Sequence, residues 1–433
     1  MIRQVSSSVI RSLSAHGGKS QVPKKFVGTA RCLSTSPWAN YEMAPLDPII
    51  GLTEQYNQDS FPQKVIVGVG AYRDDGGKPY ILPCVREAED RLFKKHLDME
   101  YSGIAGDANF VEESLKFGYG EDCVALQENR VQGVQALSGT GGLRVMGELL
   151  RKNGHRHIYV PNPTWGNHKA IFTNAGLEVK TYAYYDAESS SLDFDSLVKD
   201  LKDIPSGSAV LLHACAHNPT GMDPTMDQWK EISSICKERG LLPFFDMAYQ
   251  GFASGCAATD AAALRMFVDE GHLVCTIQSF SKNFGLYGHR VGTLSVVGAT
   301  EEEAQKVVSQ LKLVIRPMYS NPPRHGARIV QTILSDPMLR EDWEVQCAGM
   351  AARINTMRTV LRERLSAVGS SRNWNHITKQ IGMFAFSGLS KEQVMKMREK
   401  HHVYCTLDGR ISMAGVTSGN ADYIAEAIHD VSK

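Results

Sequence analysis

From about residue 130 to residue 300 the chain alternates short apolar runs with longer amphipathic ones, and this rhythm restricts the fold more than any other feature. VQGVQALSG predicts a strand and LRVMGELLRKNG a helix; HIYVPNP predicts the next strand and HKAIFTNAG the next helix. SAVLLHACAHNP, LLPFFDMAY, HLVCTIQSFS and VGTLSVVG are further strand candidates. Strands separated by helical stretches predict an α/β domain with a mainly parallel sheet, because parallel neighbours need a crossover that a helix supplies. Ligands in such sheets bind beyond the carboxyl ends of the strands. Residues from about 345 to 433 predict a smaller α+β unit, with a long helical segment followed by short strands around MFAFSGL and GRISMAG. No apolar stretch approaches the roughly 18 residues that span a bilayer.

Lys+Arg and Asp+Glu are equal at 47 each, so no excess of basic charge marks a nucleic-acid surface. The balance is uneven along the chain. Arg3, Arg11, Lys19, Lys24, Lys25 and Arg31 all precede the first acidic residue, Glu42, in a stretch rich in serine. A basic, Ser-rich, acid-free leader has the composition of an organellar transit peptide and lacks the apolar run of a secretory signal. Residues 1–35 are therefore expected to be a mitochondrial transit peptide that directs the protein to the mitochondrial matrix. A plastid address and a merely disordered tail are the other readings of that composition. Ala30-Arg31-Cys32-Leu33-Ser34 has the look of a matrix-protease site. Nine cysteines with no CxxC pair suit a reducing compartment better than a disulfide framework.

Three stretches carry candidate chemistry. In SFSKNFGLYGHRVG, Lys282 stands just past an apolar strand, where an amine can lose its proton and attack an aldehyde. The alternatives are a solvated loop lysine and an SxxK acyltransferase pair with Ser279 as nucleophile, which lacks a KTG-like third element. Asp246 follows the apolar strand LLPFF; a carboxylate there can be a cap, a metal ligand or a partner for a heterocycle. His213, Cys215 and His217 alternate along one strand face, but their spacing of roughly 6.6 Å is too wide for one zinc ion without convergence. Ser138-Gly139-Thr140-Gly141-Gly142 lies between a strand and a helix, where backbone N–H groups bind anions and glycine lets phosphate approach.

Together these stretches resemble the aspartate aminotransferases, which belong to the pyridoxal-phosphate fold-type I class. The matching segments include MAPLDPIIGLTEQY, GVGAYRDDGGKPYILPCVREAE, SGTGGLR, PNPTWGNH, HNPTG, DMAYQGF, SFSKNFGLYGHRVG, IRPMYSNPPRHGARI, GMFAFSGL and DGRISMAGV, running in the family's order from about residue 40 to the C terminus. The resemblance implies helices on both faces of the sheet in a large cofactor-binding domain (79–345). It also implies a smaller domain (346–433), joined by part of an N-terminal segment (36–78) that begins as an arm.

It implies site residues as well. Lys282 matches the lysine that binds pyridoxal 5'-phosphate covalently and moves the substrate proton. Asp246 matches the carboxylate facing the pyridine nitrogen, with His168 and His213 behind it. Tyr249 and Asn218 match donors to the ring phenolate, and Trp165 the indole stacked on the ring. Ser138, Gly139, Thr140, Ser279 and Arg290 match the phosphate site, to which Tyr101 of a second subunit contributes. Arg410 matches the grip on the substrate α-carboxylate. Arg316, expected in a constrained loop before Pro317, matches the residue of a second subunit that grips the side-chain carboxylate. Gly70 matches a glycine over the substrate, or is an ordinary turn glycine. Departures are Val65-Ile66-Val67, where an Asn is common, and His289, where Glu or a small polar residue is commoner. Asn162-Pro163 and Asn218-Pro219 match places with cis bonds.

The activity that the resemblance implies is a ping-pong transamination between L-aspartate and 2-oxoglutarate, giving oxaloacetate and L-glutamate, in a homodimer with shared sites and no metal, nucleic-acid or membrane partner. An aromatic or kynurenine aminotransferase and a catalytically idle binding homologue are the alternatives.

Overall fold

In the computed structural model, two units divide the chain: a short N-terminal one, described over residues 36–44, and a main one, described over residues 50–433. The expected leader lies outside the described residues. The main unit is organised by seven strands: β1 (Val131–Ala136), β2 (His157–Asn162), β3 (Glu178–Ala183), β4 (Ala209–His213), β5 (Leu242–Met247), β6 (Cys275–Ser279) and β7 (Gly292–Val297). They form one sheet in the order β1-β7-β6-β5-β4-β2-β3. All adjacent pairs are parallel except those made by β7, which runs against β1 and β6 on either side.

Alternate residues feed two cores. Leu211, Phe244, Ile277 and Leu294 join Leu143 and Met146 on one face. Val210, Leu212 and Phe245 join Trp229, Phe267 and Phe280 on the other. A sheet buried on both faces explains why its strands read as nearly continuous apolar runs. EVKTYA, which forms the edge strand β3, is not among the strands expected from sequence because its half-polar pattern hides it.

Two differences in helix placement matter. The helix after β1, α1 (Ser138–Lys152), begins at the serine and takes in SGTGG, which the sequence pattern places before the helix. Arg316 does not stand in a loop. It lies in α2 (Glu301–Tyr319), which tolerates Pro317 because the proline falls in the last turn and removes only one internal hydrogen bond.

The C-terminal part is built on the long helix α3 (Pro337–Ala367), which runs through the boundary expected at 345/346, and on the antiparallel strands β8 (Phe384–Phe386) and β9 (Arg410–Ser412). Val65–Ile66 pairs in parallel with Val403–Tyr404, tying the early segment to this part. The Asn162-Pro163 and Asn218-Pro219 bonds are both cis, as expected. Among the described residues no helix is long and apolar enough to cross a membrane, and all eight described cysteines are free.

Candidate active site

Strand ends deliver the polar groups. His213 closes β4 and is the register partner of Asp246 in β5; Ser279 closes β6 opposite Gly292, which also faces Ala136 at the end of β1. These ends open into one cavity of about 220 Å³. Its walls include Gly70, Ser138, Gly139, Thr140, Trp165 and Asn218, and further round Asp246, Tyr249, Ser279, Lys282, Arg290 and Arg410.

The tautomers behind Asp246 follow from one backbone group. Asn218 N–H donates to His213 Nδ1 at 3.1 Å, so that nitrogen is an acceptor and the His213 proton sits on Nε2. Nε2–H then donates to Thr164 Oγ1 at 3.2 Å, and the Thr164 hydroxyl donates to His168 Nδ1 at 2.8 Å. His168 Nε2–H is thereby turned onto Asp246 Oδ2 at 3.0 Å. Burial pushes His213 down to about 3, which keeps it neutral. Burial alone would raise the Asp246 carboxyl. The His168 hydrogen bond, aided by the positive charge of Lys282, outweighs it and holds the group ionised below its usual range.

The opposite end of the cavity suits an anion. Ser138 Oγ lies 2.8 Å from both Ser279 Oγ and Ser281 Oγ, and Arg290 reaches Ser281 Oγ at 3.4 Å. No side chain caps the start of α1, so its first N–H groups are available to a phosphate. Between the two ends stands Lys282, half-buried, with its Nζ 5.6 Å from the centre of the Tyr249 ring. Desolvation lowers its pKa to about 8, against the pull of Asp246 and aided by Arg290 and Arg410. Burial raises the Tyr249 phenol, so it is a hydrogen-bond donor at neutral pH.

Arg410, only 5% exposed, closes the cavity. It donates to Asn218 Oδ1 at 3.1 Å and to the Gly68 carbonyl at 3.2 Å, stacks 4.0 Å over the Phe384 ring, and leaves its Nε without a partner among the described residues. A Cβ at Gly70 would press on Phe384 Cζ at 2.8 Å, so a side chain there would disturb the same wall. Tyr101 and Arg316 are not brought in: Tyr101 is 85% exposed and Arg316 is exposed on α2.

Two rival chemistries lose their geometry. The Ser279 hydroxyl bonds Ser138 and the Ser281 N–H, with no hydrogen bond to Lys282 among the described residues. Instead of His213, Cys215 and His217, the metal-ligating groups drawn together are His168, His213 and Asp246, already joined by the relay. Sequence reasoning missed Thr164, Ser281 and Phe384. Thr164 and Ser281 sit inside matched motifs beside chosen residues, the one available signal; Phe384 reads as strand core.

A half-buried lysine with a desolvated amine, set between an ionised carboxylate and an anion cradle at the carboxyl ends of parallel strands, defines an enzyme that handles a phosphorylated carbonyl cofactor. The family described as Aminotransferase class I and II matches residues 62–428, and the chain belongs to that family. The chain is 51% identical over 401 residues to a Dictyostelium discoideum protein named mitochondrial aspartate aminotransferase, covering 92% of this chain and 94% of that one. A crystal structure of an aromatic-amino-acid aminotransferase from Burkholderia pseudomallei, covalently bound to pyridoxal phosphate, superposes with a TM-score of 0.89 at 42% identity, covering 92% of this chain and all of that one. A mitochondrial aspartate aminotransferase structure from Trypanosoma brucei gives 0.85 at 44% identity, covering 88% of this chain and all of that one.

Proposed function

We propose that this enzyme is a pyridoxal-phosphate-dependent aspartate aminotransferase that exchanges amino groups between L-aspartate and 2-oxoglutarate. The observation that carries the reading is Arg410: a buried guanidinium with an unpartnered Nε, facing the cavity that holds Lys282 and Asp246. A planar guanidinium binds a carboxylate through two parallel hydrogen bonds, so Arg410 is the grip for the substrate α-carboxylate.

The residues fit the cofactor. The hydroxyls of Ser138 and Ser279, the N–H groups of Gly139 and Thr140, and Arg290 suit its phosphate. Asp246, whose second oxygen is free of the His168 bond, suits a protonated pyridine nitrogen; Tyr249 and Asn218 suit its phenolate, and Trp165 one face of the ring. Bound there, pyridoxal phosphate supplies an aldehyde conjugated to an electron-accepting ring. Lys282 is the group that would bond this aldehyde at rest. With its pKa lowered to about 8, its free amine would be the base that takes and returns the substrate Cα proton. Asp246 would keep the ring nitrogen protonated, and Arg410 would hold the substrate carboxylate.

The exposed positions of Arg316 and Tyr101 support a homodimer in which each serves the other subunit's site. The pairing of Val65–Ile66 with Val403–Tyr404 supports a small domain made from 346–433 and part of the 36–78 segment, with 79–345 as the cofactor domain. The basic leader and the naming of the Dictyostelium relative support a mitochondrial address.

A substrate panel on the purified protein tests the activity: aspartate with 2-oxoglutarate should turn over fastest. Faster turnover of phenylalanine would favour the aromatic reading suggested by the Burkholderia structure. Mixing Lys282→Ala and Arg316→Ala chains under subunit exchange tests the dimer. A shared site leaves one intact site per hybrid and restores activity, whereas hybrids that stay inactive refute it. A reporter fused behind residues 1–40 should enter mitochondria; a diffuse cytosolic signal refutes the address.

A further inference from the structure

Arg358, on α3, is 1% exposed and makes no bond to any carboxylate among the described residues. Its guanidinium donates to three backbone carbonyls, those of Ile377 at 2.9 Å, Gly382 at 2.8 Å and Phe384 at 2.6 Å, while its Nε has no partner. Burial alone pushes its pKa down to about 9. A buried cation without a counter-ion is costly, and it is tolerated here because an apolar side chain would leave three buried carbonyls unpaired. Packing therefore does not account for an arginine here.

The carbonyls it gathers do. Gly382 and Phe384 flank Met383 at the bend that enters β8. Gly382 has a φ of +80°, and a Cβ there would collide with Ala216, two residues before Asn218. The bend is wedged against the loop that carries one of Arg410's acceptors. Phe384 is the ring on which the Arg410 guanidinium lies at 4.0 Å. Holding the carbonyls on both sides of Met383 holds the backbone from which that ring projects, and the ring supports the Arg410 guanidinium beside its hydrogen bonds to Asn218 and Gly68.

We infer that Arg358 is a positioning residue for substrate carboxylate recognition: it holds the Phe384 platform that pre-orients Arg410, without touching substrate or cofactor itself. The inference rests on the proposed role of Arg410 as the carboxylate grip. It separates two tasks. Asp246 lies in β5 and Lys282 in the turn that follows β6, and both keep their geometry when Arg358 is lost, whereas Arg410 loses its aromatic platform.

The test titrates succinate, a dicarboxylate with no amino or keto group, into cofactor-loaded enzyme and follows the cofactor absorbance. Arg358→Met should raise the succinate Kd about tenfold, equivalent to ~1.4 kcal/mol. The KM for the amino acid should rise in parallel, while kcat and the resting cofactor spectrum stay within about threefold of wild type. If Arg358→Met does not accumulate as folded holoenzyme, Arg358→Lys carries the test. Its ammonium reaches fewer carbonyls, so a smaller rise in Kd is expected. In a Phe384→Leu background the Arg358 substitution should add less than about threefold, because coupled residues are not additive. A succinate Kd within about twofold of wild type, a loss confined to kcat, or full additivity with Phe384→Leu would each overturn the inference. Failure of wild-type enzyme to bind succinate would instead count against the dicarboxylate reading. The Arg358 comparison then proceeds on whichever amino acid the wild type turns over, since every amino acid brings an α-carboxylate to Arg410.

Discussion

Replacing Thr164 by valine removes a hydroxyl and almost no volume, and it cuts the relay behind Asp246 at its middle. The hydroxyl accepts from His213 at 3.2 Å and donates to His168 at 2.8 Å. His168 is fully buried and His213 nearly so, so neither nitrogen recovers a water in exchange. An unsatisfied buried group costs about 1–3 kcal/mol, and the longer His213 bond counts at the low end, so Thr164→Val should destabilise the fold by about 2–4 kcal/mol. His168 cannot escape by switching tautomer, because Nε2 would then present a lone pair to the Asp246 carboxylate. Urea unfolding of the cofactor-free protein at matched chain concentration measures the loss. Thr164→Ser keeps the hydroxyl and should recover most of it. Equal stability of the valine and serine variants would refute the bridging role, and with it the derived proton positions.

Borohydride reduction of the cofactor-loaded enzyme followed by peptide mapping should place the pyridoxyl group on Lys282; a label on another lysine contradicts the assignment. Asp246→Ala should lower turnover by ~10³-fold or more in folded, cofactor-bearing protein, since losing the ring-nitrogen proton raises the barrier by at least about 4 kcal/mol. In the cofactor-free protein, amine-selective labelling of Lys282 should rise through a midpoint near pH 8 instead of at the ordinary 10.5. The sign for stability comes from the same depression. The buried amine costs folding most below about pH 8, and the cost fades as pH rises from there to 10.5. A labelling midpoint at the ordinary value would show that desolvation does not act on this group.

The sheet is legible in the sequence because both of its faces are buried, which leaves apolar runs such as LLPFF and AVLLH that no surface segment would tolerate. The half-polar edge strand Glu178–Ala183 escapes for the converse reason. Residues that meet the cavity directly stand in motifs whose chemistry can be argued from residue type: a lysine, a carboxylate, a Gly-rich turn. Those acting through another residue are not legible. Thr164 and Arg358 are defined by partners 49 and 19–26 positions away, and nothing local marks a threonine as a bridge or an arginine as buried. The start of α1 is hidden because Ser138 takes a φ of +58°, a conformation that its residue type does not announce.

Asn218 belongs to two circuits. Its backbone N–H sets the His213 tautomer, and its side chain accepts from Arg410. The turn bearing it is pinned by Asp223, which accepts from the Ala216 and His217 N–H groups at 2.6 and 2.8 Å. At Asn218, electron withdrawal at the ring and recognition of the substrate therefore cannot be altered independently. A mutation that shifts the turn retunes both in one step, so new substrate preferences are reached at lower functional risk from the Gly70 and Phe384 side of the cavity. Selection acting on Arg410 alone would meet its limit at this shared residue.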